Sequence, residues 1–203
     1  SAITRHGDFN RDGHEDVIAR DSAGALWLYP GTGGGFGTRI RVGTGWQTMR
    51  EITQVGDLDG DGYPDLVAVL ASTGTMYFYP GRGTSFGSRR QLGAGWNAMS
   101  ELTGVGDFNG DGHPDLVARN TATGDLWLYP GTSGGFGTSL RVGTSWNTMR
   151  PLVGIGDFNR DGYPDLFAVQ TATGKLFMYP GHGSSLGSPL QLGSGWQNYR
   201  PLL

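Results

Sequence analysis

Cysteine is absent from the 203 residues, so no disulfide can staple the fold and no thiol can serve as a nucleophile. Long apolar runs are missing too: nothing approaches the ~18 residues of a membrane span, and no signal-peptide pattern is present. A chain that opens on Ser1 rather than Met is expected of a processed product or an excised module. Basic excess is also lacking, with 15 Lys+Arg against 18 Asp+Glu and a formal net charge of −3, which leaves nucleic acid no electrostatic footprint. Convincing helical stretches are excluded, because Gly or Pro interrupts the sequence at short intervals.

Glycine is what the chain has in abundance. It accounts for 38 residues, far above the usual ~7%, and the excess falls at recurring positions. Such placement indicates many tight turns and not disorder. Hydrophobic residues at 36% and aromatics at 11% suffice for a packed β core.

The recurrence is a nine-residue phrase, D-x-[DN]-x-D-G-x-x-D, that begins at Asp8, Asp57, Asp107 and Asp157, with spacings of 49, 50 and 50 residues. Four repeats follow, 1–50, 51–100, 101–150 and 151–203. A unit of this size buries too little surface to stand alone, so the repeats are expected to share one domain over 1–203.

Within each phrase the oxygens at places 1, 3, 5 and 9 can converge if the loop curls, and Gly at place 6 permits the bend. The backbone carbonyl at place 7 can turn inward as well. The candidate ligands are Asp8, Asn10, Asp12, His14 and Asp16; Asp57, Asp59, Asp61, Tyr63 and Asp65; Asp107, Asn109, Asp111, His113 and Asp115; and Asp157, Asn159, Asp161, Tyr163 and Asp165. Places 1, 3, 5 and 9 contribute side chains, whereas His14, Tyr63, His113 and Tyr163 are named for their carbonyls. Six to eight oxygens suit Ca²⁺ better than Mg²⁺, which keeps its waters. The lack of Cys and of paired His argues against zinc. The phrase opens like an EF-hand loop, but place 12 holds Ala19, Ala68, Ala118 and Ala168 where that loop needs Glu. A single Asp-Asn-Gly cluster is ordinary turn chemistry; four in register, each with its oxygen places filled, point to about four calcium ions per chain. Four divalent ions, carrying eight charges, would turn −3 into +5.

The second repeat shows the expected strands. Glu51–Gly56 enters the acidic loop and the apolar run Asp65–Leu70 leaves it as a strand buried on both faces. Aromatic-rich Thr75–Tyr79 is stopped by Pro80-Gly81, and Phe86–Leu92 alternates as a fourth strand. Four short strands per repeat are the arithmetic of a β-propeller blade, so the fold class is all-β, a propeller of four four-stranded blades. A parallel β-helix is the competing fold, but its calcium motif is absent.

Repeats one and three resemble each other, as do two and four: Leu26-Trp27-Leu28-Tyr29 matches Leu126-Trp127-Leu128-Tyr129, and Gln91-Leu92-Gly93 matches Gln191-Leu192-Gly193. Such an ABAB pattern favours an even blade number. The expectation is a closed four-bladed ring in a monomer, with an eight-bladed propeller shared by a homodimer as the alternative. Arg200-Pro201-Leu202-Leu203 repeats the start of repeat four, Arg150-Pro151-Leu152-Val153, and competes with Ser1–Thr4 for one strand position.

Gly106-Asp107-Phe108-Asn109-Gly110-Asp111-Gly112-His113-Pro114-Asp115-Leu116-Val117-Ala118, with Phe136-Gly137 downstream, resembles the FG-GAP repeat. That family takes in the VCBS-type repeats of bacterial surface and secreted proteins and the propeller of integrin α subunits. The resemblance implies blades with Ca²⁺ in the loop joining first and second strands, and extracellular work in adhesion or as an accessory module, secreted or at the cell surface. The Gly-Ala-Pro half of the signature is missing, and Leu186-Gly187 replaces Phe-Gly in the last repeat, so integrin-like ligand specificity is not implied.

Catalysis finds no support. Beyond the thirteen acidic loop ligands the acids are Glu15, Asp21, Glu51, Glu101 and Asp125, and strict repetition gives no evidence of a facing carboxylate pair. His6 falls on a strand position and His182 in a Gly-rich loop, and there is no G-x-S-x-G elbow. Binding has better candidates in Trp46, Trp96, Trp146 and Trp196, each beside Gln or Asn. A Trp face can stack on a sugar while the amide bonds its hydroxyls; equally, one Trp per blade can pack between neighbouring blades. The sequence thus suggests a module that binds glycan or an extracellular protein, with a structural repeat lacking any ligand beyond calcium as the alternative.

Overall fold

A computed structural model describes residues 2–5 and 7–196, the first four by backbone alone. The expectations for His6 and for the overlap of Arg200–Leu203 with the N-terminal strand lie outside the described residues. Each repeat folds as one four-stranded antiparallel sheet whose strands follow in chain order. Repeat one has Ala2–Arg5, Val17–Arg20, Leu26–Tyr29 and Ile40–Gly43; repeat two has Met49–Gly56, Asp65–Leu70, Thr75–Tyr79 and Arg90–Gly93. Repeat three has Met99–Gly106, Asp115–Asn120, Leu126–Tyr129 and Leu140–Gly143; repeat four has Met149–Gly156, Asp165–Gln170, Lys175–Tyr179 and Leu190–Gly193. These are four β-propeller blades, and the fold is all-β.

Burial follows the side-chain period of two. Leu26 and Leu28 are buried while Trp27 and Tyr29 are half-buried, and the run from Asp65 to Val69 is buried on both faces. The fourth strand begins later than the alternation from Phe86 predicts. Gly87 donates to the Pro80 carbonyl at 2.8 Å and Phe86 bridges Gly81, so the first residues of that run close a small hairpin before the strand starts at Arg90.

The Gly/Ser-Trp phrases have a regular structure of their own. Trp46–Thr48, Trp96–Ala98 and Trp146–Thr148 each form one 3₁₀ turn. The turns at Trp46 and Trp146 are entered through left-handed Gly45 and Ser145. The amides of Trp46, Trp96, Trp146 and Trp196 donate to the carbonyls of Gly24, Gly74, Gly124 and Gly174 at 2.9 Å. In the A-type repeats, Arg20 and Arg119 reach the carbonyls beside these turns: Arg119 Nη1 lies 3.0 Å from the Trp146 oxygen and 2.8 Å from that of Met149.

The turn between second and third strands is one residue shorter in repeat one, which accounts for the spacing of 49. Asp21 completes it: Oδ1 accepts the amides of Ala23 and Ala25, and Oδ2 accepts the Trp27 indole N–H at 2.9 Å.

The chain gathers into two compact units, one built on the described residues through Asn97 with Ser133–Gly135, the other on Ala98–Thr132 and the described residues from Phe136. The first has a core of Phe9, Ile18, Leu26, Leu28, Trp46, Met49, Leu66, Ala68 and Tyr79. The second repeats the arrangement with Phe108, Leu126, Leu128, Trp146, Met149, Leu152 and Leu166. Both cores span the junction between two consecutive sheets.

Candidate metal centre

Each acidic phrase is the loop between the first and second strands of its repeat. Place 6 needs positive φ, with values of 91°, 91°, 89° and 97° at Gly13, Gly62, Gly112 and Gly162, and glycine adopts these without strain. Place 4 is left-handed too, and there repeats one and four put Arg11 and Arg160 at φ 63°.

In loop one the place-1 carboxylate accepts two amides, Asp12 N–H to Asp8 Oδ1 and Gly13 N–H to Asp8 Oδ2, both at 2.9 Å. The Asn10 side chain accepts the Asp12 amide at 2.9 Å and donates to Asp12 Oδ2 at 2.8 Å. Loops three and four repeat these contacts through Asp107, Asn109 and Asp111, and through Asp157, Asn159 and Asp161. At place 7 the amides of His14, Tyr63, His113 and Tyr163 donate to the place-5 carboxylates at 2.9–3.0 Å. The sequence foresaw their carbonyls as ligands; the amide contact is an addition to that expectation.

Loop two departs from the other three. Asp59 replaces Asn and has no N–H to offer Asp61, and Asp61 instead receives the guanidinium of Arg82. The Asp61 amide is 3.3 Å from Asp59 Oδ1, and Asp57 Oδ1 is left buried with no hydrogen-bond partner. Carboxylate oxygens of Asp57, Asp59 and Asp61 lie within 4.8 Å of one another, the one acidic group of metal-binding geometry among the described residues. Three hard oxygen donors in mutual repulsion, one of them desolvated and unsatisfied, fit a divalent cation of the calcium type.

The ninth-place aspartates do more than the sequence suggested. All four, Asp16, Asp65, Asp115 and Asp165, are 0% exposed. In repeats two to four Oδ2 accepts the amides of places 2 and 3, as with Phe108 at 2.9 Å and Asn109 at 3.0 Å to Asp115. In all four repeats Oδ1 accepts the amide of the hairpin glycine, Gly31, Gly81, Gly131 or Gly181, at 2.7–3.0 Å. That residue must be glycine: a Cβ would stand 2.1–2.2 Å from the carbonyl oxygen of Glu15, Pro64, Pro114 or Pro164. The clamp ties the loop to the end of the third strand. The signal was visible in the fourfold Tyr-Pro-Gly, which reads from sequence only as a strand stop.

Burial, with the nearby Asp59 carboxylate as a smaller cause, raises the Asp65 carboxyl to about 6, and burial also raises Asp115. Asp111 and Asp161 are lowered, chiefly by the side-chain amides of Asn109 and Asn159. A carboxyl raised in the folded state binds more protons folded than unfolded, so stability falls as pH climbs between about 4 and 6. The lowered groups act below that window, their stabilisation being lost as pH drops under about 4. In chelator the melting temperature is therefore expected to decline from about pH 4 to 6, and in saturating calcium to decline less. A metal-free melting temperature that rises over this interval would contradict the assignment.

The tryptophans proposed as sugar platforms are mostly interior. Trp46, Trp96 and Trp146 are 5%, 9% and 6% exposed. The ring of Trp46 lies 4.5 Å from that of Tyr79, and Trp146 lies 4.5 Å from Tyr179. Trp46 and Trp146 each join the rest of their repeat to the next sheet of the same unit, and Trp96 is buried to a similar degree, so the stacking role fails for these three rings and the packing role holds. Trp196 is 41% exposed.

Four-stranded antiparallel blades, each with an acidic loop between its first two strands, define a β-propeller repeat protein. The chain belongs to the FG-GAP-like repeat family, whose sequence profile matches residues 8–68, 57–118 and 107–168. None of the curated proteins matches the chain. Among solved structures, a mutant of the Photorhabdus luminescens Tc holotoxin pore is similar at 15% identity and a TM-score of 0.39, over 94% of this chain and 12% of that one. BBS1N, in a mercury-soaked complex with ARL6DN, is similar at 14% identity and a TM-score of 0.46, over 95% of this chain and 57% of its own. The chain thus spans a small part of the toxin and little more than half of BBS1N. Among the described residues, no helix is long and apolar enough to cross a membrane.

Proposed function

We propose that the chain is a calcium-stabilised β-propeller module that works outside the cell by binding, as an accessory or adhesion domain, and not by catalysis. The observation that carries the calcium reading is the orphaned Asp57 Oδ1 in a cluster of three converging carboxylates. Asp57, Asp59 and Asp61 would hold the ion in loop two, with the corresponding Asp and Asn side chains in the others. The bound ion supplies charge neutralisation, and the loops supply oxygens on a frame already fixed by backbone amides. A glycan or an extracellular protein is the ligand class. Burial of Trp46, Trp96 and Trp146 favours a second reading, a structural repeat with no ligand beyond its ions. A glycan array probed in calcium separates the two.

Calorimetric titration of the metal-free chain is expected to show calcium binding at or below the ~10⁻⁴–10⁻³ M of extracellular modules. Four sites at ten times their dissociation constant contribute about 1.4 kcal/mol each, so EDTA should lower the melting temperature by about 10 °C or more. Asp59→Asn removes one charge and restores the amide contact of the other loops. It should weaken the loop-two site by about tenfold, roughly 1.4 kcal/mol. An unchanged melting curve in EDTA together with no heat of binding would sink the proposal.

A further inference from the structure

In loops one, three and four the place-5 carboxylate is engaged at both oxygens. Oδ1 accepts the place-7 amide, and Oδ2 accepts the side-chain N–H of Asn10, Asn109 or Asn159 at 2.7–2.8 Å. Loop two keeps the first contact, Tyr63 N–H to Asp61 Oδ1 at 3.0 Å. Its place 3 is Asp59, which has no N–H to give, and Asp61 Oδ2 accepts from Arg82 Nη1 instead. Arg82 stands in the hairpin after the third strand, where its amide donates to the Ser85 carbonyl at 3.0 Å and Nη1 also donates to the Gly81 carbonyl at 2.6 Å. The other repeats have Thr32, Thr132 and His182 at this position. The one repeat with Asp at place 3 is thus the one with Arg in the hairpin. A second guanidinium, that of Arg11 in loop one, lies 5.1 Å from the centre of the Tyr63 ring. All of these loop-two partners belong to the first compact unit.

We infer that Arg82 is a tethered counter-ion of loop two, which a divalent cation must displace from Asp61. The inference rests on the calcium reading proposed above and adds to it a residue that opposes the ion. Asp61 Oδ1 is turned to the Tyr63 amide, so Oδ2 is the oxygen left to face a cation, and Arg82 holds that oxygen. Converging carboxylates of Asp57, Asp59 and Asp61 repel one another in the empty loop, and a charge-assisted bond from a guanidinium offsets that repulsion. A neutral Asn amide, as in the other loops, does the same for two carboxylates without repelling an incoming ion. The guanidinium does repel it. Calcium at loop two therefore exchanges against a resident charge: the affinity is lower than its carboxylates alone would give, and filling the site releases Arg82.

The place-6 glycine amides make the four loops separately observable, because Gly13, Gly62, Gly112 and Gly162 each donate to the place-1 carboxylate of their own loop. Calcium titration of the ¹⁵N-labelled full chain, followed by NMR at these amides, gives one affinity per loop. Arg82→Gln should tighten binding at Gly62 by about tenfold and change the other three by less than about twofold. In an Asp59→Asn background the introduced amide takes over Asp61 Oδ2, and Arg82→Gln should then change loop two by less than about twofold. In the unmodified chain the Arg82 Nε–H resonance should move in step with the Gly62 amide as calcium is added, an observation that needs no variant. Loops that bind calcium while Arg82→Gln leaves Gly62 with unchanged or weaker affinity overturn the inference and spare the calcium reading. An Arg82 resonance that stays in place while Gly62 shifts does the same. Silence of all four glycines toward calcium overturns the calcium reading itself, and this inference with it.

Discussion

Asp115→Ala is expected to cost about 3–5 kcal/mol, although the residue removed is a buried anion. Its two oxygens accept the amides of Phe108, Asn109 and Gly131 at 2.9, 3.0 and 2.7 Å. Each amide stranded without an acceptor in a buried site costs about 1–3 kcal/mol, and relief of the carboxylate's own desolvation returns part of the total. Asp115→Asn should be milder but still destabilising, since one of its two ends turns an N–H toward a donor. Urea unfolding in chelator isolates the clamp from any contribution of an ion. A loss below about 1 kcal/mol for the alanine variant would show that the amides find other acceptors.

Trp146→Ala should be of similar size, about 3–5 kcal/mol, through the cavity it leaves among Phe108, Leu126, Met149, Leu152 and Tyr179. The turn below cannot easily collapse into the space. A Cβ at Gly143 would already lie 2.2 Å from the indole Nε1, so the glycine is there to admit the ring. Trp196→Ala, at the same repeat position but 41% exposed, should cost less than about half as much in dilute solution. Equal losses at the two positions would place the energetic role in the turn itself and not in the buried ring.

Much of this architecture was legible in the sequence because its signals are local and repeated. Period-two alternation in Leu26–Tyr29 and the apolar run Asp65–Leu70 fix strands, and the D-x-[DN]-x-D-G-x-x-D phrase fixes the loops between them. What escaped depends on contacts between distant residues. Trp faces look alike in sequence whether a neighbouring sheet covers them or water does, and only packing against Tyr79 and Tyr179 decided the matter. The clamp joins Asp65 to a glycine sixteen residues on, so its carboxylate read as a metal ligand alone. Loop two carries Asp59 where the other loops have Asn, and its Asp57 oxygen lacks the place-5 amide that the other place-1 carboxylates accept, a difference that counting oxygens does not register. Likewise the missing Gly-Ala-Pro reads from sequence as a bare loss, whereas Arg20 and Arg119, which stand after the second strand in its place, donate to the carbonyls beside the Trp turns.

The short turn of repeat one bears on how such an array can be altered. It has lost one residue relative to its counterparts, yet the amide of Gly31 still meets Asp16 Oδ1 at 2.8 Å and the second and third strands keep their register. Length variation is absorbed between Asp21 and Gly24 and stops there, because Asp21 re-forms the turn with its own carboxylate. By contrast, the stretch from a place-1 aspartate to the ninth-place clamp has the same length in all four copies. These turns, at Ala71–Gly74, Thr121–Gly124 and Thr171–Gly174 as well as in repeat one, are consequently the natural graft points of the chain. A foreign peptide inserted ahead of the turn glycine, whose carbonyl holds the Trp turn, would be displayed on each blade away from the acidic loop.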